Sequence, residues 1–164
     1  LFTRKKRFIQ RDRKMKNKRF IFIIITLIWT AVIFSFSLQS GEVSGDLSGS
    51  VLEAILGFFM PGVLESPEKQ ELFHLILRKC AHFTEFMILG VLSSIALKYM
   101  KVGYKSIIGL GYCVLIASLD ETLQLFVSGR AGRVQDVLID SAGALVGIVV
   151  VFIFFKFIKC DLEK

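Results

Sequence analysis

The sequence predicts an all-α membrane protein, a bundle of four transmembrane helices with a short external surface helix between spans one and two. Three observations support this fold class. The 164 residues are 54% hydrophobic and only 21% charged. Their mean hydropathy is +0.63. Four apolar runs are each long enough to cross about 30 Å of hydrocarbon at 1.5 Å per residue. These four spans and the segments that connect them account for most of the sequence.

A basic flank at residues 1–19 precedes the first span, which is predicted at residues 20–38 because that run carries no charge. Residues 1–14 hold seven Lys or Arg against a single acid. Met15 opens a further basic run directly before the span, so residues 1–14 are interpreted as an upstream extension or as a disordered basic tail. The flank is typical of a cytoplasmic segment beside a membrane, and no nucleic-acid partner is expected.

The later elements follow from the same length argument. Residues 51–60 are apolar but too short to span, so they predict the surface helix. Ser66 as N-cap and Pro67 at the first helical position predict a helix start that leads into the second span. The last three spans are predicted at residues 80–99, 106–127 and 134–157. We therefore expect a transmembrane domain at 20–158 and a cytoplasmic tail at 159–164.

The distribution of Lys and Arg predicts the orientation in the membrane. The N-terminal flank, the loop between spans two and three, and the C-terminal tail are all basic. The segment 39–79 carries six acids against three bases. By the positive-inside rule, this segment lies outside and both termini lie in the cytoplasm. The expected location is a bacterial cell membrane, as a multi-pass protein with membrane lipids as its neighbours.

Several ionisable side chains occur within the predicted spans, where each costs about 2.5 to 3.5 kcal/mol on insertion scales. In the expected orientation they share one layer just below the outer surface. They are His82, Glu85, Asp120, Glu121, Asp136 and Asp140, with the amide of Gln124. Spacings of three and four residues place the members of each span on a single helix face. Gly143 and Gly147 continue the face of the two aspartates of span four and predict close helix packing there.

Three interpretations of this polar layer remain open. The charges could pair and stabilise the bundle, for example Arg130 or Arg133 with Asp136. The five carboxylates outnumber the two nearby arginines and one histidine, which favours a bound cation, a shared proton or a ligand with hydrogen-bond donors. Because zinc sites usually have several His ligands, a metal-dependent enzyme would more readily use Mg²⁺ or Mn²⁺. Its candidate ligands are His82, Glu85 and Asp120. No cofactor is predicted, and a divalent metal is kept as the alternative.

Two specific sequence blocks stand out, together with a weaker one, Phe36-Ser37-Leu38-Gln39-Ser40. The first specific block is Lys79-Cys80-Ala81-His82-Phe83-Thr84-Glu85-Phe86, and the second runs from Asp120-Glu121 through Gln124 and Arg130 to Asp136 and Asp140. These blocks resemble the VanZ-like family of bacterial membrane proteins, whose founding member is associated with resistance to the lipoglycopeptide teicoplanin. The family's motif positions fall on Lys79, His82, Glu85, Asp120, Glu121, Gln124, Arg130, Asp136, Asp140 and Gly143. The resemblance thus adds Lys79 and Arg130 to the predicted polar layer. The chain departs from the family pattern at Leu123, where many relatives have His, and at Phe86, where Tyr is common.

The resemblance implies a cell-envelope role without supplying a reaction. We expect a non-enzymatic membrane protein whose outer-leaflet polar pocket contributes to teicoplanin resistance or recognises an envelope lipid or sugar. Its partner would be a lipid-linked cell-wall precursor or a lipoglycopeptide. The alternative is a metal-dependent intramembrane hydrolase or transferase that acts on a lipid-linked envelope substrate.

Overall fold

The computed structural model describes residues 2–40, 49, 58, 67–100 and 103–162. Four long helices run through these residues, each with a segment long and apolar enough to cross a membrane. They are α1 (Phe2–Ser37), α2 (Pro67–Lys98), α3 (Lys105–Gln124) and α4 (Val134–Leu162). The predicted four-span α-helical architecture is therefore confirmed. Of the surface helix predicted at 51–60, only Phe58 is among the described residues, so this prediction is not tested.

The helix boundaries differ from the sequence expectations at three places, one of which is the end of α4 at Leu162, five residues beyond the predicted fourth span. α1 begins at Phe2, so residues 2–19 of the basic flank continue the helix of the first span. α3 ends at Gln124, three residues before the predicted end of the third span. There the next three amides bond to carbonyls three residues back, as in Val127 N–H to Gln124 O at 3.2 Å. Such tighter bonds commonly close the last turn of a helix.

The α2–α4 pair is the most extensive helix contact, and it depends on glycine. A Cβ atom at Gly143 would lie 2.3 Å from the Phe83 carbonyl oxygen, and one at Gly147 would lie 2.1 Å from that of Met87. On the opposite helix, a Cβ atom at Gly90 would lie 2.2 Å from the Ala144 carbonyl oxygen. The two backbones are thus in direct contact, as small residues allow in membrane bundles.

A small core lies where the four helices meet. It includes fully buried side chains from every helix, among them Ile33, Phe86, Cys113 and Ala144. By contrast, many large apolar side chains are exposed along the spans. An apolar outer surface around a small core is the pattern expected of a bundle with lipid as its solvent. Fully buried polar side chains are unusual in such a bundle and therefore mark candidate functional positions.

Candidate functional site

The polar side chains converge at the end of the bundle where α3 ends and α4 begins. Asp120, Glu121 and Gln124 come from the last turns of α3, and Asp140 comes from the second turn of α4. All four are buried, with exposed fractions of 4% or less. His82 of α2 joins them with 13% of its side chain exposed. One helix terminus cannot assemble such a group, so the site is a product of helix packing.

Four residues of this group form what we call the acidic cluster: His82, Asp120, Glu121 and Asp140. One nitrogen or oxygen atom from each side chain lies within 4.8 Å of the others. The shortest approach between His82 and Asp140 is 3.9 Å, from Nδ1 to Oδ1. That distance is too long for a hydrogen bond. The cluster therefore gathers potential ligand atoms around one point without pairing all of them.

Gln124 links the two α3 carboxylates of the acidic cluster to Arg78 on α2. Its side-chain nitrogen donates to Asp120 Oδ2 at 3.0 Å and to Glu121 Oε1 at 3.2 Å. Its side-chain oxygen accepts a hydrogen bond from Arg78 Nη2 at 3.0 Å. The fully buried amide thus orients two carboxylates and an arginine at the same time.

The turn between α3 and α4 is held against the cluster by its backbone. The Arg133 amide donates to Glu121 Oε2 at 2.7 Å. Gly129 has φ 74°, a left-handed conformation that glycine adopts without strain. A Cβ atom at Gly132 would lie 2.1 Å from the Glu121 carbonyl oxygen, so only glycine fits against α3 there. These contacts bring the arginines of the turn over the cluster.

A cleft of about 300 Å³ opens beside the acidic cluster. We call it the basic cleft because its lining contains four basic side chains and a single acid: Arg78, Lys79, Arg130, Arg133 and Asp136. The acid is already neutralised, since Lys79 Nζ and Asp136 Oδ1 lie 2.5 Å apart. The pairing of Asp136 with Arg130 or Arg133 considered from the sequence is therefore wrong. Three arginines remain, which makes the cleft suited to an anion.

The arginines of the basic cleft are close enough to repel one another. Burial lowers the pKa of the Arg130 guanidinium, and the positive charge of Arg78 lowers it further. Three nearby carboxylates partly offset this pKa shift, namely those of Asp120, Glu121 and Glu85. Arg130 Nη2 donates to the carbonyl oxygen of Phe36 at the end of α1, at 3.1 Å. An anion placed between the two arginines would relieve their repulsion.

Every residue predicted for the polar layer lies at this end of the bundle, but the residues divide into two environments. The carboxylates of Asp120, Glu121 and Asp140 are buried with His82, whereas Lys79, Arg130 and Asp136 line the basic cleft. Glu85 lies near Asp120 and Arg130 but is not a member of the four-residue cluster. Gly143 and Gly147 lie beneath, against the backbone of α2.

Arg78 and Arg133 were not among the residues predicted for the site. Arg78 lies one helical turn before His82 and its spacing places it on the same face, whereas Arg133 was considered only as a partner for Asp136. Counting Arg78 and Lys79 also changes the charge balance, to five acids and four bases around the site. The excess of acid expected from the sequence is thus reduced to a single carboxylate, and the two signs are separated in space.

The two departures from the family pattern have different surroundings. Phe86 is fully buried in the core between the helices, where its ring supplies apolar packing. Leu123 is half-buried on α3, one residue before the bridging Gln124. His82 is therefore the only histidine in the acidic cluster.

Four membrane-spanning helices that bury a polar cluster between them define a multi-pass membrane protein with a site inside the bundle. A model of the VanZ/LLP1 family matches residues 22–155, and the chain belongs to this family. The matched range includes the acidic cluster and the basic cleft. No curated protein matches the chain, and neither does any solved structure.

Proposed function

We propose that the basic cleft binds the phosphate-bearing head group of a lipid-linked envelope precursor at the outer leaflet, as a recognition site without catalysis. The observation that carries the proposal is the lining of the cleft, in which Lys79 offsets Asp136 and three arginines remain. Arginine suits phosphate because its planar fork can form two parallel hydrogen bonds. The cleft also abuts the apolar flank of α2 at Leu75, where a lipid tail could follow.

The proposed orientation follows from the charge of the loops. Basic segments at the N-terminus and between α2 and α3 favour the cytoplasm, which places the α3–α4 turn outside. The basic cleft would then face the leaflet in which lipid-linked precursors are consumed. For a site at the outer leaflet, the family resemblance implies a contribution to teicoplanin resistance.

Replacing Arg133 with glutamine tests the cleft directly. The backbone amide of Arg133 bonds to Glu121 and is kept in the variant, so the turn should remain in place. Losing one charged hydrogen-bond donor, worth about 1.5 kcal/mol, should weaken binding roughly 10-fold. The probe is farnesyl pyrophosphate, titrated by calorimetry into the purified protein in nanodiscs, with farnesol as the uncharged comparison.

Arg13→Gln is the matched control, because Arg13 is exposed on α1 in the basic flank. It should bind farnesyl pyrophosphate as the parent does. Equal binding of farnesol and farnesyl pyrophosphate would contradict the proposal, as would equal losses in the two variants.

Drug susceptibility tests the phenotype. Expression of the parent in a sensitive Gram-positive host should reduce susceptibility to teicoplanin more than to vancomycin. His82→Ala and Arg133→Gln should abolish this protection at equal membrane levels, measured by immunoblot, because they alter the cluster and the cleft. If both variants protected as well as the parent, neither the acidic cluster nor the basic cleft would be needed for protection against teicoplanin.

A second candidate function is metal-dependent hydrolysis or group transfer on a lipid-linked envelope substrate. The grouping of His82 with three carboxylates favours it, since a bound cation can polarise a phosphoryl oxygen. Its first requirement is cation binding, which can be measured without knowing the substrate.

A further inference from the structure

We propose that the acidic cluster is a binding site for a divalent cation, Mg²⁺ or Mn²⁺, with His82, Asp120, Glu121 and Asp140 as its protein ligands. The proposal does not rest on anion binding in the basic cleft. One potential ligand atom from each of the four side chains lies within 4.8 Å of the others. Ligands on opposite sides of a cation with bonds of about 2.1 Å are separated by about 4.2 Å, so small side-chain movements would close the site.

Asp140 supplies the observation that points to a ligand. Its side chain is fully buried, and neither carboxylate oxygen has a hydrogen-bond partner among the described residues. A buried carboxylate without partners is costly, and native structures rarely retain one without a reason. Since an oxygen of Asp140 is part of the cluster, a cation at its centre would compensate the group.

Two other atoms of the cluster share this property. Asp120 Oδ1 and His82 Nδ1 are buried and have no hydrogen-bond partner in the described part of the chain. Both are atom types that bind metals. One cation would satisfy unpaired atoms contributed by three different helices.

The nearby arginines do not take the place of a cation. Arg78 donates to the Gln124 amide and Arg130 to the Phe36 carbonyl. Within the described residues, no ion pair joins either arginine to a carboxylate of the acidic cluster, and the cluster's sole ion-pair contact is the 3.9 Å approach of His82 to Asp140. Among the described residues, the three carboxylates of the cluster therefore have no arginine or lysine in ion-pair contact.

Two of the proposed ligands are held in place by a second layer of hydrogen bonds. The Gln124 amide donates to Asp120 and Glu121, and the Arg133 backbone amide donates to Glu121. Each of these carboxylate oxygens retains a free lone pair that can face a cation. Fixed ligand orientation of this kind is a regular feature of metal sites.

The ligand types decide which cations to expect. Three carboxylates and a single imidazole form a hard, oxygen-rich set that suits Mg²⁺ and Mn²⁺. Structural zinc sites instead use Cys and several His. Cys113 is the cysteine of α3, and it is not a member of the acidic cluster. Its Sγ atom lies 3.7 Å from Ser93 Oγ, within hydrogen-bond distance.

The test is direct Mn²⁺ binding to the purified full chain in nanodiscs after treatment with a chelator. Titration followed by the electron paramagnetic resonance signal of free Mn²⁺ should show one site per chain, and Mg²⁺ should compete for it. Asp140→Asn should weaken Mn²⁺ binding at least about 10-fold, because even changes to groups behind a ligand have effects of that size. Glu121→Gln should act likewise.

Glu71→Gln is the matched control for Glu121→Gln, since Glu71 is exposed on α2 and should leave Mn²⁺ binding unchanged. Mn²⁺ should also raise the melting temperature of the parent and of Glu71→Gln, but not that of Asp140→Asn. If Asp140→Asn fails to fold, Asp120→Asn and His82→Gln provide the same comparison.

Absence of a stoichiometric Mn²⁺ site in the parent would overturn the proposal. Parent-like affinity in the folded cluster variants would overturn it too. Farnesyl pyrophosphate binding, measured on the same samples, keeps the two proposals apart. A protein that binds Mn²⁺ but not farnesyl pyrophosphate would contradict only the proposed anion site in the basic cleft. A protein that binds farnesyl pyrophosphate but not Mn²⁺ would contradict only the proposed cation site.

Discussion

Replacing Gly147 with leucine is expected to prevent the bundle from assembling. A Cβ atom at this position would lie 2.1 Å from the Met87 carbonyl oxygen and 3.0 Å from the Val91 amide nitrogen. Both contacts are with backbone, which cannot rotate away as a side chain can. Overpacking of this kind costs on the order of 3 kcal/mol or more. We expect loss of the monodisperse peak in fluorescence-detected size-exclusion chromatography and a much lower melting temperature.

Gly111→Leu is the control for this variant. Gly111 is exposed on α3, and a Cβ atom added there has no neighbour within 4 Å. Replacing a helical glycine at an open position should be neutral or stabilising by up to about 1 kcal/mol. A Gly147→Leu protein as stable as Gly111→Leu would show that α2 and α4 do not pack through direct backbone contact.

Gln124→Leu is expected to produce the second large loss of stability. The cause is the loss of the hydrogen bonds of Gln124 and not a change in side-chain volume. Leucine is similar in size, but it removes the donor to Asp120 and Glu121 and the acceptor for Arg78. Each unsatisfied buried group costs about 1 to 3 kcal/mol, and more when it is charged. The melting temperature should therefore fall by several degrees or more, and Mn²⁺ binding should weaken because two carboxylates lose their orientation.

Gln135→Leu makes the same chemical change at an exposed position in the first turn of α4. Its melting temperature should stay close to that of the parent, since surface substitutions usually change stability by less than about 0.5 kcal/mol. Gln124→Glu extends the comparison by keeping the acceptor for Arg78 while replacing the donor with another carboxylate. If Gln124→Leu were as stable as Gln135→Leu, the amide bridge would contribute nothing to folding.

The helices themselves were predictable because their signals are local. Span length follows from bilayer thickness, and the start of α2 at Pro67 follows from the N-terminal preference of proline. The end of α3 was predicted three residues too late because residues 125–127 are apolar enough to continue a span. Hydropathy alone does not show where hydrogen bonding changes from a helix to a turn.

The faces of the helices were also predictable, but the partners across them were not. Spacings of three and four residues place Asp136 and Asp140 on one face of α4. They do not show that Asp136 meets Lys79 in the basic cleft while Asp140 is buried beside His82. Those outcomes depend on the rotation of α2 relative to α4, which the direct backbone contacts at Gly143 and Gly147 restrict.

The sequence by itself determined the class of protein, the number and lengths of the spans, and the group of residues at one end of the bundle. Each follows from composition, from the lengths of the apolar runs and from spacings of about one helical turn. Only the tertiary structure decided that the acids are buried together and that the arginines line an adjacent cleft. The physical reason is that both arrangements require close contacts between helices distant in sequence, and the depth and rotation of each helix are set by packing.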